Sequence, residues 1–222
     1  MSKLVHFLSV SETSRALSKD VKKVRFFFKS IRQCMAEDLL QSHSGVMIGG
    51  PGHIVEADES KFGKRKFHQG KRVVGKWVLG GYDRQTGQIF LVECPDNVRN
   101  HHTLVGLIKK HVRPGTTILT DCWKGYNKLA DHGYTHLTVN HSQGFINPAT
   151  GVHTNTCEGM WFHAKTHMKR GHGHVRQDSE ALEVALYEFM WMKKFGLKAR
   201  DDQSNRRMFM QEIPRLMDRI FG

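Results

Sequence analysis

The chain has 222 residues, and its 34 lysines and arginines exceed its 21 aspartates and glutamates, so the formal net charge is +13 with the 15 histidines neutral. This length allows one domain with a sizeable core and excludes a small scaffold held together by disulfides. No apolar run approaches the roughly 20 residues that a membrane span needs, so we expect no transmembrane helix.

Residues 1–45 are predicted to form two helices. The segment Ser11–Leu17 predicts a short one, and Asp20 is a suitable cap for a longer one that runs to about Leu40. Along the longer helix, apolar residues recur every three or four positions with basic residues between them, so one face is apolar and the other basic. Two interpretations remain open: a helix-turn-helix whose second helix meets DNA, or a helical lead-in packed on the following domain.

A different pattern follows the glycine-rich stretch 45–52. Strands are predicted at 54–58, 77–82, 88–92, 116–120 and 136–140, and helices at 99–112, 124–132, 154–170 and 179–195. This order predicts an α/β domain with a ribonuclease H-like mixed sheet flanked by helices. We place the domain at 50–178, with 179–222 as a C-terminal helix and basic tail that complete it.

Three carboxylates stand at predicted element ends. Asp58 closes the first strand, Asp121 closes the fourth, and Glu158 lies near the start of a later helix. Ligand sites of open α/β sheets lie at the carboxyl ends of the strands, so the two aspartates are expected to meet there. Such carboxylates suit Mg²⁺ or Mn²⁺, and two such ions can activate an attacking oxygen at a phosphodiester. An aspartate at a strand end is also a common turn former, so each position has a purely structural interpretation.

Five motifs in order support the catalytic interpretation: VEADESKFGKRK (55–66), GKWVLGG (75–81), LTDCWKGY (119–126), VNHS (139–142) and PATGVHTNTCEGMW (148–161). Together they resemble the DDE transposases of Merlin-type DNA transposons and their bacterial insertion-sequence relatives. The resemblance implies a triad of Asp58, Asp121 and Glu158 holding two Mg²⁺ or Mn²⁺ ions. It also implies cleavage at terminal inverted repeats and joining of the 3′-OH ends to target DNA, by a homo-oligomer assembled on DNA.

The third metal ligand remains open at this stage. Some bacterial relatives are described by an Asp-Asp-Asn-Lys signature, for which Asn155 and Lys165 are the matching residues. Glu158 is preferred because a charged carboxylate binds Mg²⁺ better than an amide oxygen does. Glu158 and Lys165 are seven residues apart and share one helix face, so Lys165 is expected to contact a DNA phosphate. Glu59 should point to the opposite face of the first strand from Asp58, and we do not count it as a ligand.

Basic residues cluster on both sides of these carboxylates. Lys64, Arg65 and Lys66 follow the first aspartate, in a stretch where six of the twelve residues 61–72 are lysine or arginine. Lys169 and Arg170 follow the Glu158 helix. We expect both clusters to bind DNA phosphates in a salt-dependent manner, although a solvated surface would have the same composition. His153 is an auxiliary candidate that positions a phosphate or a water.

Cysteine spacing and the N-terminal residues indicate an intracellular protein. The four cysteines form no CxxC pair, so we expect reduced thiols and no cysteine-based zinc site. The first fifteen residues lack the longer apolar region of a secretory signal, so the expected location is nuclear in a eukaryote, or cytoplasmic and nucleoid-associated in a bacterium. Two alternatives to a transposase remain: a DNA-binding protein derived from one that no longer catalyses, and a stand-alone metal-dependent DNA nuclease.

Overall fold

The computed structural model describes residues 10–43, 47–63, 74–139, 155–171 and 179–195, with residues 211, 212, 214, 215 and 218. Within these ranges no helix combines the length and the apolar character needed to cross a membrane. All four cysteines lie in the described ranges and none of them forms a disulfide. The chain divides into two compact units, one of residues 1–44, 167–173 and 184–222, and one of residues 45–166 and 174–183.

The second unit is built on a five-stranded sheet. Its strands are β1 (Ile54–Phe62), β2 (Lys76–Asp83), β3 (Ile89–Glu93), β4 (Thr117–Asp121) and β5 (Thr135–Val139). Their order across the sheet is β3-β2-β1-β4-β5. The first three strands pair antiparallel, whereas β4 pairs parallel with both β1 and β5. This order and sense are those of the predicted ribonuclease H-like sheet, so the predicted fold class is confirmed.

Helices cover both faces of this sheet. The helix α3 (His101–His111) links β3 to β4, begins at the side-chain cap Asn100 and buries Leu104 and Ile108. These side chains pack in one core cluster with Val55, Ala57 and Ile118 of the strands. On the other face lies the first part of α4 (Asn155–Gly171), and α5 (Ser179–Phe195) follows later in the chain.

The first unit is helical. It contains α1 (Val10–Leu17) and α2 (Val21–His43), and Asp20 accepts hydrogen bonds from the backbone N–H groups of Lys22 and Lys23, as expected for a helix cap. The apolar stripe of α2 is buried, and Asp38 beside it accepts a hydrogen bond of 3.0 Å from Trp191 Nε1 on α5. The residues of α5 from position 184 onward therefore group with the N-terminal helices.

Two local predictions about elements differ from the structure. The first strand does not end at Asp58 but runs on to Phe62, because its hairpin pairing with β2 continues to the pair Phe62–Lys76. The predicted helix 124–132 consists of two short 3-10 turns, Lys124–Tyr126 and Ala130–His132. The other strands and helices lie within a few residues of their predicted bounds.

Candidate functional site

Asp58 lies at the point where β1 loses one of its two neighbours. The parallel pairing of β1 with β4 ends at the pair Glu56–Leu119, while the antiparallel pairing with β2 continues past it and sets Asp58 opposite Gly80. Asp121 is the last residue of β4. The predicted position of Asp58 at a strand end is therefore wrong, yet both aspartates lie beyond the last pair of the β1–β4 ladder, at the same edge of the sheet.

The charges of the two aspartates interact. Burial, then the charge of Glu59, then that of Asp121 raise the pKa of Asp58 to about 6, against hydrogen bonds from the Glu59 backbone N–H and Trp161. These two donors are held at 2.8 Å from Oδ1 and 3.1 Å from Oδ2 of Asp58, respectively. Asp121 Oδ1 accepts a hydrogen bond of 3.0 Å from the backbone N–H of Trp123. The edge thus presents two carboxylates whose mutual repulsion a bound cation would relieve.

Alternate residues of β1 contact successive turns of α4. Glu56 accepts a hydrogen bond of 2.8 Å from the Cys157 backbone N–H. Asp58 accepts from the Trp161 indole. The Lys165 ammonium donates to Ser60 Oγ, and it also lies 5.5 Å from the ring centre of Phe62. The period of two in the strand matches the period of about four in the helix, so one strand face is fixed to one helix face at three levels.

Glu56 is the deepest member of this series. Its carboxylate is fully buried and also accepts a hydrogen bond of 2.6 Å from Arg84 Nε. The carboxylate lies at the first turn of α4, where backbone N–H groups have no partner within the helix. A negative charge is also favourable at a helix N-terminus. Glu56 was not among the predicted site residues, although its place two positions before Asp58 puts it on the same strand face.

Close packing of Trp161 sets the distance between α4 and the sheet. The indole packs against Phe62 edge-on, with ring centres 5.9 Å apart. A Cβ at Gly80 would come within 2.7 Å of the Trp161 ring, so only glycine fits there without movement. Trp161 is buried, whereas its neighbour Phe162 is 67% exposed.

Glu59 points to the opposite face, as predicted. There it accepts hydrogen bonds from the Tyr126 hydroxyl and from Arg99 Nη1. Burial, followed by weaker effects that include the Asp121 charge, raises the pKa of Glu59, and the Tyr126 hydroxyl and Arg99 oppose the shift. The Arg99 guanidinium lies 4.0 Å from the ring centre of Trp77. Glu59 is thus committed to structural partners, and neither Arg99 nor Tyr126 was identified as part of the site from sequence.

The two candidates for the third metal ligand, and the lysine expected to contact a DNA phosphate, lie on α4. Glu158 is in its first turn and is exposed, Asn155 is its first residue and is exposed, and Lys165 lies near the middle. Burial lowers the pKa of Lys165 while the charge of Asp58 opposes this shift, so the ammonium lies within electrostatic range of that carboxylate. Across the described part of the chain, no three His, Cys, Asp or Glu side chains converge closely enough to hold a metal ion.

The structure therefore brings Asp121 and Lys165 each within electrostatic range of Asp58 but does not show Glu158 in contact with the aspartates. A hard divalent cation fits the donor set that is assembled, because carboxylate oxygens are its preferred ligands. Glu158 is three residues before Trp161, so its Cα lies about one helical turn from the Cα of the residue whose indole is hydrogen bonded to Asp58.

The remaining predicted residues lie elsewhere. Lys64, Arg65, Lys66 and His153 lie outside the described residues, as does the side chain of Arg170. Lys169 is exposed near the end of α4, in the part of that helix that belongs to the first unit. The proposed roles of these residues in DNA binding stay predictions.

The chain is similar to known proteins in sequence and in structure. The family model described as the ISXO2-like transposase domain matches residues 45–193. An uncharacterized transposase-like protein of Haemophilus influenzae is 29% identical over 104 residues, which are 47% of this chain and 79% of that protein. The crystal structure of the Mos1 strand transfer complex is similar over 95% of this chain and 72% of that one, with 14% sequence identity and a TM-score of 0.33.

Proposed function

The chain belongs to the family of ISXO2-like transposase domains, and we propose that it is an enzyme that cleaves phosphodiester bonds at the terminal inverted repeats of a transposon. The same site then joins the freed 3′-OH ends to target DNA. The observation that carries this proposal is the pair Asp58 and Asp121 at one edge of the sheet. Burial first, then the charge of Glu59 and then that of Asp121 raise the pKa of Asp58.

Asp58 and Asp121 would hold Mg²⁺ or Mn²⁺, with Glu158 as the third ligand and Asn155 as the alternative. Two such ions, when bound, would activate the attacking oxygen and stabilise the leaving oxygen at the phosphodiester. The protein's own contribution is to orient the ligands: the Trp161 indole and the Glu59 backbone N–H fix both oxygens of Asp58. Glu56 fixes the turn of α4 that carries Glu158.

DNA is the proposed partner, bound by a homo-oligomer. Lys165 would contact a phosphate beside the cleaved bond, since its ammonium lies within electrostatic range of Asp58. Lys64, Arg65 and Lys66 on one side, and Lys169 and Arg170 on the other, would hold the flanking backbone. The net charge of +13 supports this proposal, because phosphate contacts are made mainly by lysine and arginine. The proposed location is the nucleus of a eukaryote, or the cytoplasm and nucleoid of a bacterium.

A labelled duplex that carries one transposon end tests this proposal. Purified protein should cleave it in Mg²⁺, and Asp58→Asn and Asp121→Asn should each reduce the rate at least 100-fold. Glu183→Gln, at an exposed position of α5, is the matched control and should cleave at the parental rate. Cleavage without joining to an added target duplex would indicate a stand-alone nuclease instead, and binding without any cleavage would indicate a non-catalytic DNA-binding protein.

A further inference from the structure

A second concave surface lies beside α3, in the same unit as the two aspartates. It is a cavity of about 360 Å³ lined by His101, His102, Val105, Gly106, Lys109, Lys128 and His132. Positions 102, 106 and 109 follow the helical period, so they lie on the face of α3 opposite the buried Leu104 and Ile108, whereas Val105, which also lines the cavity, is itself buried. The candidate site of Asp58 does not use any of these residues.

The chemistry of this lining favours an anion. Three imidazoles and two ammonium groups supply the polar surface, and no carboxylate is among the lining residues. A metal ion is not favoured, because among the described residues no three His, Cys, Asp or Glu side chains are placed to hold one. The rings of His101 and His102 are 3.7 Å apart, and Lys128 lies within electrostatic range of His101. Desolvation, then the charges of His102 and Lys128, lower the pKa of His101, and a bound anion would oppose this shift and favour the protonated ring.

The cavity begins at the edge of the sheet that carries Asp58 and Asp121. Strands β3, β1 and β4 run in the same direction, and α3 connects β3 to β4, so the helix returns antiparallel to them. Its first turn, with His101 and His102, therefore lies near the carboxyl ends of β1 and β4. Arg99, two residues before this turn, is hydrogen bonded to Glu59, the neighbour of Asp58.

We propose that this cavity binds a backbone phosphate of the DNA that flanks the cleaved bond. The proposal rests on the proposed function, since it takes the bound anion to be part of the DNA substrate. It extends the DNA surface to α3, for which no DNA contact was predicted from the sequence. A diester phosphate carries the single negative charge and the acceptor oxygens that lysine and protonated histidine bind.

Gly106 offers a substitution that changes the cavity without disturbing the core. A Cβ at this position would meet nothing within 4 Å, so a side chain there would extend into open space beside the cavity. A glycine inside a helix is also less favourable than alanine by about 1 kcal/mol, so its replacement should not destabilise α3. Gly106→Glu and Gly106→Gln are therefore a matched pair of nearly equal size that differ by one negative charge.

Binding to a duplex without divalent metal tests the proposal, measured by fluorescence anisotropy over a series of salt concentrations. Gly106→Glu should weaken binding at least tenfold, whereas Gly106→Gln should weaken it less than threefold. Lys128→Gln, a second variant at an exposed position, should reduce the slope of log K against log salt by about 0.9, the value for one phosphate contact. Equal binding by the Glu and Gln variants, with an unchanged slope for Lys128→Gln, would overturn the proposal.

Competition with inorganic phosphate separates a DNA phosphate from a free anion. If Gly106→Glu loses affinity for inorganic phosphate but binds DNA as well as Gly106→Gln does, the cavity holds a free anion and the proposal is wrong. Because the assay needs no catalysis, its result is independent of the cleavage experiment. If the protein binds DNA in this charge-dependent manner but does not cleave it, phosphate binding by the cavity is supported and the proposed function is rejected.

Discussion

The indole Nε1 of Trp161 donates a hydrogen bond of 3.1 Å to Oδ2 of Asp58, from α4 to the central strand of the sheet. The bond orients a proposed metal ligand. It also lowers the pKa of the Asp58 carboxyl, against burial, which raises that pKa. It also fixes the helix that carries Glu158 against the strand that carries Asp58.

Replacement of Trp161 by phenylalanine should therefore weaken metal binding more than it weakens the fold. The ring remains apolar, but Asp58 loses a donor worth about 1.5–3 kcal/mol for a charged acceptor, which corresponds to roughly a tenfold to hundredfold loss in affinity. Calorimetric titration with Mn²⁺ at pH 7 measures this change. Phe162→Leu, at the exposed neighbouring position, is the control and should bind Mn²⁺ like the parent.

Without metal, the carboxyl of Asp58 should destabilise the protein at neutral pH. Its pKa is about 6 in the folded protein against an ordinary value of 3.8, which corresponds to about 3 kcal/mol between the two protonation states. Because the folded pKa is raised, the stability linked to this group is fully present below pH 3.8 and is lost as the pH rises through 6.

Asp58→Asn should consequently raise the thermal midpoint in EDTA at pH 8, by about 2–4 °C for each kcal/mol regained. The same variant should have little effect near pH 4, where Asp58 is protonated in the folded state. Differential scanning calorimetry at the two pH values gives the comparison, with the exposed Asp131→Asn as control. An identical midpoint for Asp58→Asn and the parent at pH 8 would show that the raised pKa is absent.

Glu56→Gln should destabilise the protein although no part of the catalytic chemistry is assigned to Glu56. The substitution removes a fully buried charge that pairs with Arg84 at 2.6 Å and accepts from the Cys157 N–H. A loss of about 1.5–3 kcal/mol follows from the strength of charge-assisted hydrogen bonds. Urea unfolding measures it, and Glu183→Gln, which replaces an exposed carboxylate, should leave the midpoint unchanged.

Two glycine-to-alanine changes should have opposite signs. Gly80→Ala places a methyl group within 2.7 Å of the Trp161 ring, so overpacking should cost about 1–3 kcal/mol. Gly159→Ala lies in α4, where a Cβ meets nothing within 4 Å, and should stabilise the protein by up to about 1 kcal/mol. Thermal unfolding of both variants measures these changes in stability. A neutral Gly80→Ala would mean that Trp161 does not pack against β2 as described.

Local patterns in the sequence were enough to predict the order of strands and helices, because each element of the sheet carries its own period of apolar residues. They also placed Asp121 at the end of β4 and Glu59 on the face opposite Asp58. The continuation of β1 to Phe62 was not predicted, because it depends on pairing with a strand that begins at Lys76.

The contacts that shape the site could not be predicted from the sequence for the same reason. Glu56 and Cys157 are separated by 101 positions, and Asp58 and Trp161 by 103. Which of their atoms meet depends on how far α4 slides along β1, and no local period specifies that shift. The role of Arg99 could not be predicted either, because only the folded chain shows that it donates a hydrogen bond to Glu59 and packs on the Trp77 ring.

Asp121 and Asp58 are the proposed ligands of a catalytic divalent ion, and replacement of Asp121 by cysteine tests this assignment through exchange of the metal. A thiolate binds Mg²⁺ poorly but accepts the softer Mn²⁺, so exchange of the metal should change the activity of the variant if position 121 contacts it. The measurement is the rate of cleavage of a labelled transposon-end duplex. Asp121→Cys should be inactive in Mg²⁺ and should recover part of the parental rate in Mn²⁺, whereas cleavage in Mg²⁺ at the parental rate would show that position 121 is not a metal ligand.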